Sequence, residues 1–304
     1  MSEVKKIIID ENVAGQRLDN FLLNQLKGVP KSKIYSIIRK GEIRINSKRK
    51  KPSYKLFNGD ELRIPPVKTS KKESQFVPTK IISLLKDAIV EENDDFIAIN
   101  KPEGIASHGG SGISIGVIET IRNFGKAYRD AKLVHRLDKD TSGCQIIAKN
   151  NKFLRRCNKL ISERKVKKTY QAIVHGNWIS KNGFYEINIE KNLLISQERM
   201  VKVSVGGKTA KTFFQVVQSS NYFSQIQCEL VTGRTHQLRV HLSELGHPIV
   251  GDNKYGLKEN KLSKDLSYKK RMYLHAYSFS SEELNMNLIV RPSKDFKKIL
   301  KNDE

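Results

Sequence analysis

Pro65-Pro66 is the feature that most limits how this chain folds. Two consecutive prolines remove two backbone donors and fix two φ angles, so neither a helix nor a central strand runs through them. The residues after them, to about 79, are polar and aperiodic, with Thr69-Ser-Lys-Lys-Glu-Ser-Gln75 at their centre. The 304 residues are therefore expected to form two domains, 16–64 and 81–304, joined by a linker over 65–80.

The first unit is small and basic. Leu18, Phe21, Leu22 and Leu26 recur at helical spacing, and Lys27-Gly-Val-Pro30 stops that helix. Ser32 is expected to cap a second helix that buries Ile34, Ile37 and Ile38 and ends at Gly41. Glu42-Ile-Arg-Ile-Asn46 alternates, which predicts a strand with Ile43 and Ile45 inward and Arg44 outward. Asn58-Gly59 marks a turn before Leu62 and Ile64. From Lys31 to Lys51 there are nine bases and one acid. Lys31, Lys33, Arg39, Lys40, Arg44, Lys48, Arg49 and Lys50 are expected to form a stripe over the outer face of the two helices and the adjoining hairpin.

The larger unit mixes strands and helices without regular alternation, which predicts an α+β domain with a mixed, largely antiparallel sheet flanked by helices. Ile89 to Asn100 reads as a hairpin turning at Asn93-Asp-Asp95. Residues 167–174, 209–217 and 222–230 read as strands, with a turn at Gly206-Gly207. Phe153, Leu154, Cys157, Leu160 and Ile161 fit one helix face. Thr235 is expected to cap a helix that buries Leu238, Leu242 and Leu245 and stops at Gly246. The end of the chain, Lys297 to Glu304, is expected to fray.

A formal net charge of +24 calls for a polyanionic partner, nucleic acid before all others. No apolar stretch approaches the roughly 20 residues of a membrane span. The first ten residues lack the apolar core of a secretory signal. Cys144, Cys157 and Cys228 are odd in number and far apart, as free thiols of a cytoplasmic protein would be. No HExxH is present, and His236 and His241 lie five apart on a helix, so no metal is expected.

Four segments have residues suited to chemistry. Ile99-Asn-Lys-Pro-Glu-Gly104 and Ser107-His-Gly-Gly-Ser-Gly112 suit sharp turns, with glycines at 109, 110 and 112 open to a ligand. Leu133-Val-His-Arg-Leu-Asp-Lys-Asp-Thr-Ser-Gly143 sets Arg136 and Asp138 at a strand-to-loop junction, ahead of a tight Thr-Ser-Gly turn. Taken alone, Arg136 and Asp138 read as a structural ion pair. Lys168-Thr-Tyr170 lies on a strand, where a lone tyrosine usually packs. Thr232 to Leu242 includes Arg239, placed at the edge of a buried helical stripe. Ser142, His135 and Asp138 spell a hydrolase triad on paper, but the Gly-x-Ser-x-Gly elbow is missing.

These four segments, in this order, resemble the RluA-type pseudouridine synthases, whose HRLD-x-x-TSG signature matches residues 135–143. Gln16 to Asn20, Pro30 to Ile34 and Arg39 to Asn46 resemble the S4 RNA-binding domain, over the first fifth of the chain. The resemblance as a whole runs from about residue 16 to Tyr273-Leu-His-Ala276. It implies that Asp138 is the essential catalytic carboxylate, and that Tyr170 and Arg239 are the active-site tyrosine and arginine. It also implies that Arg136 and the S4 bases, Arg17 among them, contact RNA. The implied reaction breaks the N1–C1′ bond of a uridine, turns the uracil and joins C5 to C1′. No cofactor is needed for this isomerisation. Asp138 would stabilise positive charge on the sugar, attack C1′ or remove a sugar proton. The S4 unit joined to the HRLD domain implies large-subunit ribosomal RNA as partner, and a monomer is expected. The competing reading is a non-catalytic S4-domain RNA-binding protein of ribosome assembly. It shares the charge but leaves Asp138, Tyr170 and Arg239 unexplained.

Overall fold

The computed structural model describes residues 4–11, 13–26, 28–67, 76–110, 115–178, 182–195, 198–257 and 271–301. Gly112 and most of the expected linker, 68–75, lie outside these residues. The chain divides into two compact units, Met1–Phe76 and Val77–Glu304.

The first unit is a three-stranded antiparallel sheet with two helices. Its elements are β1 (Lys5–Ile8), α1 (Leu18–Gln25), α2 (Lys31–Arg39), β2 (Arg44–Ile45) and β3 (Glu61–Ile64), with β3 central. Leu22, Ile34, Ile37, Ile43, Ile45 and Leu62 make a core of its own, as the periodicity predicts. Gly41 adopts φ +72 and ends α2. Ser32 is not the cap. The helix begins at Lys31 directly after Pro30, because proline's fixed φ suits a helix start and places Ser32 inside the first turn. The bases also lie differently: α1 carries none, so the stripe runs along α2 and the β2–β3 segment.

Not all of those bases are free. Arg17 is held 2.7 Å from the buried carboxylate of Asp19, which also accepts from Tyr35. Arg44 donates to the carbonyls of Gly41 and Ser47, and Lys50 lies over the Tyr54 ring. Lys31, Lys33, Arg39, Lys40, Lys48 and Arg49 are exposed.

The second unit begins with α3 (Thr79–Asp87), β4 (Ile89–Glu92), β5 (Phe96–Lys101) and α4 (Val117–Ile121). It continues with β6 (Lys132–Leu133), β7 (Ser142–Ala148), α5 (Asn151–Ser162), β8 (Lys167–His175), β9 (Gly183–Ile195) and β10 (Glu198–Val203). Then come β11 (Lys208–Ser219), β12 (Phe223–Leu230), α6 (Gln237–Glu244), β13 (Leu274–Ser281), β14 (Met286–Ile289) and α7 (Lys294–Lys301). One sheet runs β10-β9-β11-β12-β8-β13-β7-β5-β4, with β6 also on β7 and β14 on β13. All pairs are antiparallel except β13 with β7, so the sheet is mixed and largely antiparallel. Successive residues of β5 and β7 feed opposite faces. Ile97, Ile99 and Ile147 join the core that holds residues of α3 and α4, while Ala98, Ile146 and Ala148 join the core that holds residues of α5 and α6.

Gly143 stands on the parallel seam with φ +109, and a β-carbon there would lie 2.2 Å from the Ala276 carbonyl oxygen. Beside it Arg271 donates to Ser142 Oγ, which bonds His275 Nδ1, while His275 Nε2 donates to the Val290 carbonyl. The turn of the HRLD segment therefore falls at Lys139-Asp140, and Ser142-Gly143 is already strand. β9 and β10, over which the periodicity reading assigns no element, pair antiparallel. The carboxyl end does not fray from Lys297. α7 runs to Lys301, because Phe296, Ile299 and Leu300 are buried with Ile173, Val250 and Tyr273.

His241 and His275 are almost fully buried, and burial pushes each imidazole down to about 4. Between the ordinary value near 6.5 and about 4, the unfolded chain takes up these protons and the folded chain does not. Stability therefore falls as pH drops through that window, by up to about 3 kcal/mol for each group. The first unit has no histidine. Melting followed from pH 7 to pH 4 should show the second unit losing stability faster, with His241→Gln giving a shallower slope than wild type.

Candidate active site

Asp138 lies in the loop between β6 and β7, and both of its neighbours are tied to the segment after β5. Ser107 Oγ donates to the Leu137 carbonyl and accepts from the Leu137 amide, at 2.7 and 2.9 Å. Gln145 also donates to Ser107 Oγ. The buried Lys101 amine donates to the carbonyls of Pro102, Ile105 and Lys139, at 2.7, 2.7 and 3.0 Å. Three acceptors match the three donors of an ammonium. Burial nevertheless draws its pKa down to about 7, against the pull of Asp140 and Asp138. The first and second motif segments thus act as one clamp on the backbone either side of Asp138.

Asp138 and Arg136 do not pair. The carboxylate of Asp138 instead lies 3.3 Å from Arg239 Nη1 and 3.8 Å from His236 Nε2. Arg136 is exposed and, among the described residues, makes no ion pair. Arg239 is deeper than its place beside Leu238 predicts. Only 6% of it is exposed, and its Nε and Nη2 each meet the Asp252 carboxylate at 2.7 Å. Asp252 is equally buried and accepts from the amides of Lys254 and Tyr255 as well. Burial opposes the charge on both partners. The ion pair outweighs it, holding Arg239 above and Asp252 below its ordinary pKa.

Thr235 does not cap α6. His236 occupies that position with φ +53, and its Nδ1 bonds the Tyr255 hydroxyl at 2.8 Å. The preceding loop is closed by Gln237, whose side-chain oxygen accepts from Thr232 Oγ1 and the Arg234 amide. Burial lowers the His236 pKa, with Asp138 pulling the other way. Tyr170 is 8% exposed on β8. Burial first, then the charge of Asp138, keeps its phenol protonated well above the ordinary range.

Asp138, Tyr170 and Arg239 line one cavity of about 490 Å³. Five cations line it (Arg136, Arg164, Lys168, Arg234 and Arg239), and Asp138 is the one acid among the described lining residues. The triad drawn on paper is not assembled. Ser142 bonds His275, and His135 stacks on Phe279 with its Nε2 accepting from the Ile146 amide. Among the described residues no group of three His, Cys, Asp or Glu is placed to hold a metal. No helix among them is long and apolar enough to cross a membrane.

Asp252 and Tyr255 are site residues that the sequence reading does not single out, and it weighs His236 only as a metal ligand. A lone acid between Gly251 and Gly256 was the available signal. A β-carbon at either glycine would strike backbone, that of Arg271 and that of Asp252 itself.

This fold is that of an RNA-modifying isomerase. Residues 95–244 match the family model of RNA pseudouridylate synthases, and residues 16–62 match the S4 domain. The chain belongs to the RNA pseudouridylate synthase family, and it is a pseudouridine synthase with an S4 domain at its amino end. It is 46% identical over 277 residues to "Ribosomal large subunit pseudouridine synthase C" of Escherichia coli K12, covering 90% of this chain and 87% of that one. It is 44% identical over 305 residues to the protein of the same name from Pasteurella multocida, covering 98% and 93%. The solved structure of human RNA Pseudouridylate Synthase Domain Containing 4 shares the fold, with a TM-score of 0.61 at 24% identity over 73% of this chain and 95% of that one.

The Arg239–Asp252 pair allows a direct test. Asp252→Asn leaves a buried guanidinium short of its counter-charge, a loss of roughly 3–5 kcal/mol for a broken buried pair. The variant should melt well below wild type. Asp252→Glu should recover less than half of that loss, because the longer side chain cannot keep both 2.7 Å contacts.

Proposed function

We propose that this enzyme converts uridines of large-subunit ribosomal RNA to pseudouridine, with Asp138 as the essential carboxylate. The observation that carries the reading is the cavity in which Asp138 meets Arg239 and shares walls with Tyr170, among four further basic side chains. The names of relatives 46% identical to the chain supply the ribosomal substrate. Three buried free cysteines and a strongly basic chain suit work beside ribosomes in the cytoplasm.

The target uridine must leave its stack to reach such a cavity. Arg136, at the rim and unpaired, fills the space left behind or holds a flanking phosphate. As the N1–C1′ bond breaks, positive character grows at C1′, and the Asp138 carboxylate supplies the opposing charge. Arg239 holds that carboxylate in place while Asp252 neutralises most of the guanidinium's own charge. Tyr170, its phenol kept protonated by burial, lies against the uracil ring, and the C5 proton passes to water rather than to the phenol. The exposed bases of α2 and the β2–β3 segment add phosphate contacts that tolerate sequence.

Large-subunit ribosomal RNA carrying tritium at uridine C5 provides the assay. Wild type should release tritium, and Asp138→Asn should release none while binding RNA as before. Release by the Asp138→Asn variant at the wild-type rate would remove the carboxylate from the reaction. Arg239→Met should lower the rate at least about a hundredfold, since a removed charge partner costs some 3 kcal/mol or more. Deleting residues 1–66 should weaken RNA binding and flatten its dependence on salt, because fewer counterions are released. An unchanged slope would mean that the S4 bases make no phosphate contacts.

A further inference from the structure

Helix α5 ends at Ser162, and two residues later Arg164 adopts φ +60. The Arg164 amide donates to the Ile161 carbonyl and the Lys165 amide to the Leu160 carbonyl. This is the helix-ending turn whose left-handed position favours glycine or asparagine. An arginine there sets its β-carbon against the following carbonyl. Its side chain returns nothing to the fold. It is exposed and, among the described residues, makes no ion pair or hydrogen bond. A cation near a helix C-terminus is favourable in itself, but Lys159 and Lys165 already supply it from unstrained positions.

Arg164 stands at a boundary. It lines the cavity of Asp138 and also a second cavity of about 790 Å³, which shares Val166, Leu230 and Val231 with the first. The second volume lies within the roughly 300–1,000 Å³ of small-ligand sites. Asn285, Asn287 and Ser280 line it with amide and hydroxyl groups of the kind that bond base edges, beside the Lys167–Glu229 ion pair at 2.8 Å.

We propose that Arg164 grips the phosphate joining the target uridine to its neighbour in the RNA strand, and that the second cavity receives that neighbouring nucleotide. The inference rests on the reading that the first cavity takes the uridine. A strained residue between two cavities, with no ion pair or hydrogen bond among the described residues, has a side chain free for a ligand, and a planar guanidinium fork matches phosphate oxygens.

Arg164→Gly and Arg164→Asn both suit the backbone and remove the charge, while Arg164→Lys keeps it. Melting temperature, KM and kcat for tritium release, and the salt dependence of RNA binding are to be measured for all three. The two neutral variants should melt no lower than wild type. They should bind RNA about tenfold more weakly, with the loss in KM rather than kcat and a salt slope shallower by about one. Arg164→Lys should keep most of the slope. Wild-type affinity and slope in both neutral variants would overturn the proposal, as would a lower melting temperature in both, which would make Arg164 a structural residue. If wild type itself releases no tritium, the pseudouridine reading falls, and the variants' salt slopes still decide whether Arg164 holds a phosphate.

Discussion

An arginine side chain only 7% exposed must be paired, and nearly everything in the Asp138 cavity follows from how Arg239 meets that demand. Asp252 takes two of its donors and is saturated by two backbone amides from its own turn. One nitrogen is left over, and it faces Asp138. Two carboxylates thus share one cation unequally. Asp252 is sealed and serves the fold, while the side chain of Asp138 keeps 29% of its surface open to the cavity.

The loop carrying Asp138 has no regular structure of its own, so its rigidity is borrowed. Ser107 and Lys101 saturate the backbone of Leu137 and Lys139. The strand that follows is fixed by the parallel seam, where Gly143 lets the backbone of Ala276 approach. This gives the motif segments a physical reason to occur together. The turn after β5 clamps the aspartate loop, and the chain near residue 275 closes its far side.

The basic character of the chain has two separate expressions. In the first unit it is a surface property of α2 and the β2–β3 segment, laid over a core that is complete without it. In the second unit five of the bases line a cavity with one carboxylate. The first arrangement suits contacts that tolerate sequence and weaken with salt. The second suits the positioning of a single nucleotide.

Periodicity and turn residues determine the S4 core and the Asn93 hairpin, because each depends on neighbours within a few residues. The resemblance of the motif segments to the pseudouridine synthases singles out Asp138, Tyr170 and Arg239, and all three line one cavity. Local pattern misplaces what depends on distant partners. Arg239 reads as a helix-edge residue because its partner, Asp252, lies thirteen residues away across a turn. Arg136 and Asp138 read as an ion pair because they are adjacent, yet the loop turns them apart and Arg239 arrives from 101 residues away. The end of the chain reads as frayed because the residues that bury α7 come from β8, from Tyr273 just before β13 and from the turn after α6. Burial, and with it the charge state and partner of each polar group, is a property of the assembled sheet and its helices, and only the tertiary structure decides it.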